Sequence, residues 1–232
     1  MKYLLSEIDN LKSDLDKLRP LDNQKIREAL HVEYTYESNR IEGNTLTLRE
    51  TDLVINKGLT VGGKSLREHL EVINHKDAID YIREIAQNDI DLSEKVLKDI
   101  HALILRGIDK DNAGIYRKVP YLLEKLMEEY FEFYDTHKSI LHPVILSAEM
   151  HEKLVSIHPF IDGNGRTSRL IMNLILIRNG FPIANIKGDL ASRLQYYDAL
   201  ESVQTEEAKN KFNIFIAHQV RDSLEAYLKI LQ

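Results

Sequence analysis

The spacing of apolar residues is helical along most of the chain. Leu4, Leu5, Ile8, Leu11, Leu15 and Leu18 share one stripe at a period near 3.6. Similar faces recur near residues 67–86, 93–106, 121–135, 144–157, 167–178 and 189–201. A shorter helix is expected over Leu48 to Asn56, another from near Asn23 with Gly43 as its left-handed stop, and a last stripe over Ile214 to Leu231. The pattern predicts an all-α protein. The first stripe has heptad-like spacing but covers barely two heptads before Pro20, which predicts packing on the domain rather than a coiled coil. No Pro/Gly/Ser-rich linker, repeat or low-complexity segment divides residues 1–232, so one domain is expected.

One run has a composition that packing alone does not require. Residues 158 to 169 read His158-Pro159-Phe160-Ile161-Asp162-Gly163-Asn164-Gly165-Arg166-Thr167-Ser168-Arg169. They combine a base, a hard oxygen ligand, two glycines and two cations, and they precede the apolar stretch from Leu170 to Ile177. A glycine-bracketed turn feeding a helix N-terminus binds anions through free N–H groups and the helix dipole, and the arginines favour a polyphosphate. Phosphate chemistry is therefore expected.

This run resembles the signature of the Fic family, H-P-F-x-[DE]-G-N-G-R-x-x-R, at every specified position. The similarity extends to Gly114-Ile115-Tyr116-Arg117, to His142 through Ile157, and to Tyr196 through Glu201, covering roughly residues 30–205. The resemblance implies a helical bundle whose central antiparallel pair presents the signature loop, with a catalytic core over about 65–205. It implies transfer of AMP from ATP to a Ser, Thr or Tyr hydroxyl of a protein target, with release of pyrophosphate. His158, if neutral, suits removal of the hydroxyl proton near neutral pH. Asp162 suits Mg²⁺, which takes one or two carboxylates beside phosphate oxygens. Gly163, Asn164 and Gly165 let backbone N–H groups approach the phosphates. Gly165 also separates this loop from the related Doc type, where a lysine stands and the nucleotide is held reversed. By resemblance Arg166 and Arg169 hold the β/γ end of the nucleotide, with Thr167 and Ser168 counted among the contacts of the loop. Tyr196 and Tyr197 match positions lining the adenine pocket, while Gln204 stands where relatives often have Asn.

Ser38-Asn39-Arg40-Ile41-Glu42-Gly43 resembles the family's inhibitory motif [ST]-x-x-x-E-[GN], with Ser38 and Glu42 on one helical face. This assigns the region about 23–43 to an inhibitory helix and pairs Glu42 with Arg169, where its carboxylate competes with the γ-phosphate. Some relatives use this glutamate to remove AMP as well, so self-modification and reversal are both open. Family members also carry a two-stranded flap after the G-x-Y-R segment, against which the target docks as an added strand. Here only Lys118 and Val119 separate Arg117 from Pro120 and the next helical pattern. Either the flap is short or missing, or a segment is absent from this sequence.

Other motifs fail on context. Gly58 to Lys64-Ser65 satisfies G-x-x-x-x-G-K-[ST], but a helical pattern precedes it where a P-loop needs a strand. Asp109 to Gly114 opens like an EF-hand loop, yet the twelfth position is Pro120. His151-Glu152 lacks the second histidine of a zincin. A non-catalytic nucleotide-sensing module and a P-loop NTPase stand as alternatives. With 31 basic and 37 acidic residues the net charge is −6, which disfavours nucleic acid and anionic membranes as partners. There is no cysteine, hence no disulfide framework or thiol catalysis. No stretch is apolar enough to span a membrane and the N-terminal apolar run is too short for a signal segment, so a cytoplasmic location is expected.

Overall fold

The computed structural model describes residues 1–19, 24–118, 122–204 and 210–232. Their helices run α1 (Lys2–Leu18), α2 (Gln24–Ile41), α3 (Leu48–Lys57), α4 (Leu66–Gln87), α5 (Glu94–Leu105), α6 (Leu122–His137), α7 (Pro143–Ile157), α8 (Asn164–Arg178), α9 (Leu190–Glu201) and α10 (Lys211–Leu231). No strand occurs among the described residues. The expected positions at Pro20, Asn23 and Tyr121, and residues 119 and 120 of the flap question, lie outside them.

Local chemistry sets the helix ends. Thr47 and Ser65 each close a capping box, with Glu50 and Glu68 at the third helical position. Pro143 opens α7 behind His142, whose ring nitrogen accepts from the Val144 N–H. Past Ile41, Gly43 takes φ 93°. Its N–H reaches the Arg40 carbonyl and the Asn44 N–H reaches that of Asn39, the paired bonds of a Schellman motif. Glu42 is thereby the last residue before the chain turns away.

The α7 and α8 pair lies at the centre, each helix buried on two sides. On α8, Leu170, Ile171, Leu174 and Ile175 belong to one apolar cluster, shared with α4, α5 and α6. Met172 and Leu176 belong to a second, shared with α1, α9 and α10. Leu154, Met150 and Leu146 of α7 face the first cluster, Val144 and Ala148 the second. A helix that is apolar all round is one buried all round, and this explains why the region reads as a nearly unbroken apolar run. The stripe on α1 packs on α10 through Ile8 and Leu15, as its short heptad pattern predicts. The stretch resembling a P-loop joins α3 to α4, and Lys64 donates to the Thr45 carbonyl and hydroxyl.

Two boundaries differ from the periodicity. Helix α8 begins at Asn164, not at 167, because its first turn carries polar residues that an apolar pattern does not register. The last helix begins at Lys211, before the first apolar repeat seen at Ile214. Substituting Leu174, fully buried in α8, by alanine is expected to cost about 2–5 kcal/mol; chemical denaturation of the variant beside the parent would measure it.

Candidate functional site

The short connection from α7 to α8 holds the signature residues. His158 ends α7 in the left-handed region at φ 52°, an uncommon conformation for a side-chain-bearing residue. The surrounding structure imposes it. Arg117 donates through Nε to the His158 carbonyl at 2.7 Å and through its backbone N–H to the Pro159 carbonyl at 2.8 Å. The Asn164 side chain bonds both the N–H and the carbonyl of Phe160, at 3.0 and 2.9 Å. Asn164 therefore uses its side-chain amide to close the loop.

Beneath the loop lies His101. Its Nδ1 accepts from the Gly114 N–H at 2.9 Å, which leaves Nε2 to donate to the Asp162 carbonyl at 2.9 Å. The ring stacks on Phe160 with centroids 3.6 Å apart. Burial holds His101 down to about 4, against the Asp162 carbonyl, which acts to raise it. Gly163, at φ 78°, packs on this ring: a Cβ there would meet His101 Nε2 at 3.3 Å. One histidine thus ties the G-I-Y-R segment to the loop.

Gly163 caps α8 without a side-chain hydrogen bond, so the first-turn N–H groups have no intrahelical acceptor. Their neighbour is a carboxylate. A Cβ on Gly165 would lie 2.5 Å from Glu42 Oε1 and 3.2 Å from Arg169 Nη1. Arg169, only 1% exposed, donates from Nη2 to Glu42 Oε1 at 2.7 Å and to the Ser38 carbonyl at 2.9 Å, and from Nε to Ser38 Oγ at 3.0 Å. Burial works against the charge of Arg169, but Glu42 together with Tyr196 and Tyr34 prevails and raises the pKa of the guanidinium. Glu42 stands at the C-terminal end of α2, where the dipole opposes an anion, and against the N-terminal turn of α8, where the dipole favours one. Arg169 and α8 together hold it in place.

Asp162 and Arg166 form the other half. Asp162 Oδ1 accepts from the Gly163 N–H at 2.6 Å and Oδ2 from Arg67 Nη2 at 2.8 Å. Burial acts to raise its pKa, yet Arg166, that N–H and Arg67 prevail and hold the carboxyl below the ordinary carboxylate range. Arg166 is 2% exposed, with Glu71 Oε1 and Asp162 Oδ1 both 3.6 Å from its terminal nitrogens. Its Nε and Nη1 have no hydrogen-bond partner. Buried guanidinium donors left unused are costly and mark a place for an acceptor. The His158 ring is exposed at the edge of this arrangement, beside Ile161, which is 60% exposed.

Three expected contacts fall elsewhere. Tyr196 is 2% exposed, its hydroxyl 3.0 Å from His151 Nε2 and its ring against Phe212 and Phe215. It packs in the core, and burial pushes its hydroxyl up to about 12. Tyr197, 40% exposed, is the member of the pair with ring surface to offer. Thr167 and Ser168 point inward: both are fully buried, and Ser168 Oγ donates to the Asn164 carbonyl. Gln204 closes a short 3-10 turn, Ser202–Gln204, and its side chain is outside the described part. Conversely, Arg67, Glu71 and His101 touch the loop without any motif to announce them. The one sequence signal is that His101 shares the buried face of Leu97, Ile100 and Ile104.

An all-helical bundle with a glycine-capped anion cradle between its central helices is the arrangement this sequence builds. The comparisons with known proteins agree with it. A sequence profile described as the Fic/DOC family matches residues 91–176. The chain is 34% identical over 238 residues to a protein of Drosophila melanogaster named Protein adenylyltransferase Fic, covering 95% of this chain and 48% of that one. It is 33% identical over 241 residues to a protein of the same name from Nematostella vectensis, covering 97% of this chain and 56% of that one. Among solved structures, Fic-1 from C. elegans superposes with a TM-score of 0.88 at 27% identity, covering 98% of this chain and 71% of that one. A Fic-domain-containing signaling protein from Bacteroides thetaiotaomicron gives 0.87 at 27% identity, covering 97% of this chain and 96% of that one. The chain belongs to the Fic/DOC family and has the Fic fold. It spans about half the length of the curated relatives it matches. Among the described residues no helix is long and apolar enough to cross a membrane.

The buried histidines give a test of this geometry. His101 and His31 are held down to about 4 and His151 to about 3, burial being the main cause in each. Unfolded, they titrate near 6.5, so between about pH 6.5 and 4 the unfolded chain binds more protons and stability falls as pH drops. The midpoint of urea unfolding is expected to be lower at pH 5 than at pH 7; equal midpoints would contradict neutral burial of these rings.

Proposed function

We propose that this chain transfers AMP from ATP to a Ser, Thr or Tyr hydroxyl of a protein, with pyrophosphate as leaving group, and that Glu42 restrains the reaction. The observation that carries the reading is the cradle at the start of α8. Free N–H groups, the unused donors of buried Arg166 and the charge of Arg169 converge there, and an internal carboxylate rests against it. A polyphosphate satisfies the same donors with more charge.

His158 is the base that takes the hydroxyl proton as the oxygen attacks the α-phosphorus. Its exposed ring is aimed by a backbone that Arg117 and Asn164 lock. Such pre-setting reduces the orientational part of the barrier. Among the described residues no cluster of three or more acidic or histidine groups exists to enclose a metal. Asp162 alone offers a carboxylate, which fits Mg²⁺, since that ion takes few protein ligands and completes its shell with phosphate oxygens and water. Mg²⁺ held by Asp162 would neutralise charge on the departing phosphates. Arg67 must then share or release Oδ2.

Ser38 fixes Arg169 and Glu42 competes for it, so the γ-phosphate is refused its best partner while Glu42 stays. Gly43 supports this by turning the chain away directly after the carboxylate. Tyr197 is the side chain of the α9 pair placed to cover a base. The self-modification and AMP-removal options rest on the same residues. One observation favours a nucleotide-sensing module without transfer: the place of the flap, between Arg117 and Leu122, is only four residues long in this sequence.

Labelled transfer from ATP carrying the tracer in its α-phosphate tests these readings. Glu42→Gly is expected to raise labelling about 10–150-fold, the equivalent of one charge-assisted hydrogen bond. Adding His158→Ala is expected to lower it again by about 10²–10⁴-fold. Nucleotide binding without label in any lane would favour the sensing module. A further expectation is that Asp162→Ala reduces labelling and its dependence on Mg²⁺ together, which a magnesium titration of the Glu42→Gly background would show.

A further inference from the structure

Two guanidinium groups and two carboxylates close a ring beside the cradle. Arg67, on the first turn of α4, donates from Nε to Glu71 Oε1 at 3.1 Å and from Nη2 to Asp162 Oδ2 at 2.8 Å. Arg166, on the first turn of α8, has Glu71 Oε1 and Asp162 Oδ1 each 3.6 Å from its terminal nitrogens. Positive and negative groups alternate around the ring and balance. They are not equally fixed. Arg166 and Glu71 are buried, and Asn44, the residue after Gly43, holds Glu71 from its other side by donating from Nδ2 to Oε2 at 2.9 Å. The Arg67 side chain, by contrast, is 57% exposed. Its place gives α4 nothing, because the dipole at an N-terminal turn disfavours a cation. Its two acceptors keep it there, and the pair it makes with half-exposed Asp162 is of the weak, solvated kind. Asp162 Oδ1 already accepts from the Gly163 N–H and faces Arg166, which leaves Oδ2 as the oxygen for an incoming cation. Arg67 sits on that oxygen.

We propose that Arg67 is the built-in counter-cation of Asp162, that it gives up Oδ2 when Mg²⁺ binds, and that this exchange sets how much Mg²⁺ the site requires. Once off Oδ2, the guanidinium stays tied to Glu71 through Nε, and its remaining charge opposes a divalent ion nearby. Arg67 is a positioning residue, acting only through the carboxylate that it holds. The inference rests on the reading of Asp162 as the Mg²⁺ ligand given above and adds its competitor.

The probe is α,β-methylene-ATP, whose bridging carbon blocks AMP transfer. Its binding to the Glu42→Gly chain is measured by calorimetry, once with excess Mg²⁺ and once with EDTA. The ratio of the two dissociation constants isolates the part that depends on the metal from any general loss of affinity. Arg67→Met is expected to raise the effect of Mg²⁺ on affinity about tenfold, since it removes both the competitor and a like charge. Arg67→Lys keeps the charge and is expected to raise it less. Asp162→Ala is expected to remove the Mg²⁺ effect. An Arg67→Met chain with the circular dichroism of its background and no gain in the Mg²⁺ effect overturns the inference and leaves the Asp162 reading standing. A Mg²⁺ effect that Asp162→Ala does not lower, or no binding of the analogue at all, overturns that reading and this inference with it. Should Arg67→Met fail to fold, Arg67→Gln carries the same expectation and is read in the same way.

Discussion

The guanidinium of Arg169 is almost wholly removed from water, and much of the site's arrangement follows from the need to compensate it. An isolated buried charge costs several kcal/mol, so partners are obligatory. Ser38 supplies a hydroxyl and a carbonyl, and Glu42 supplies the opposite charge. Because those groups are one helical turn apart, α2 has to lie against α8 with that face turned inward. The Schellman turn at Gly43 then ends α2 one residue after Ile41 and leaves Glu42 at the contact. Tyr34 and Tyr196, both buried, lie within the field of the same charge.

The signature loop is held differently, by hydrogen bonds from two distant parts of the chain and from the helix turn that follows it. Arg117 holds the carbonyls before and within it, His101 holds its middle from below, and Asn164 closes it from the first turn of α8. Each uses a side chain to satisfy a loop backbone group that helix geometry leaves open. The result is a rigid support for two groups that stay exposed or half-exposed, the His158 ring and the Asp162 carboxylate. Rigidity of the frame with accessibility of the side chains it carries is what the proposed roles of base and metal ligand require.

Most of the helices were legible because a 3.6-residue apolar period survives in each. The start of α8 was not, since Asn164, Gly165 and Arg166 break the apolar pattern while still taking helical backbone. The ion pair of Glu42 with Arg169 was readable only through a motif, because the partners are 127 positions apart. Pairs with no motif were invisible: Arg67 meets Asp162 across 95 positions and His101 meets it across 61. Tyr196 shows what a motif leaves out. Its place in a motif pointed to a ligand, whereas His151, Phe212 and Phe215 converge on it from two other helices and enclose it.

Ser38 binds Arg169 through two atoms of its own, contacts separate from the one that Glu42 makes. In the proposed reaction, what changes hands at this site is the anion on that cation. Under the function proposed above, Glu42, tethered to α2, reaches that cation as an intramolecular competitor, at an effective concentration fixed by the length and stiffness of the connection. Such a competitor cannot be diluted, and its hold is the same however much or little of the protein is present. Only a change in where α2 ends, or an anion of greater charge, alters the balance.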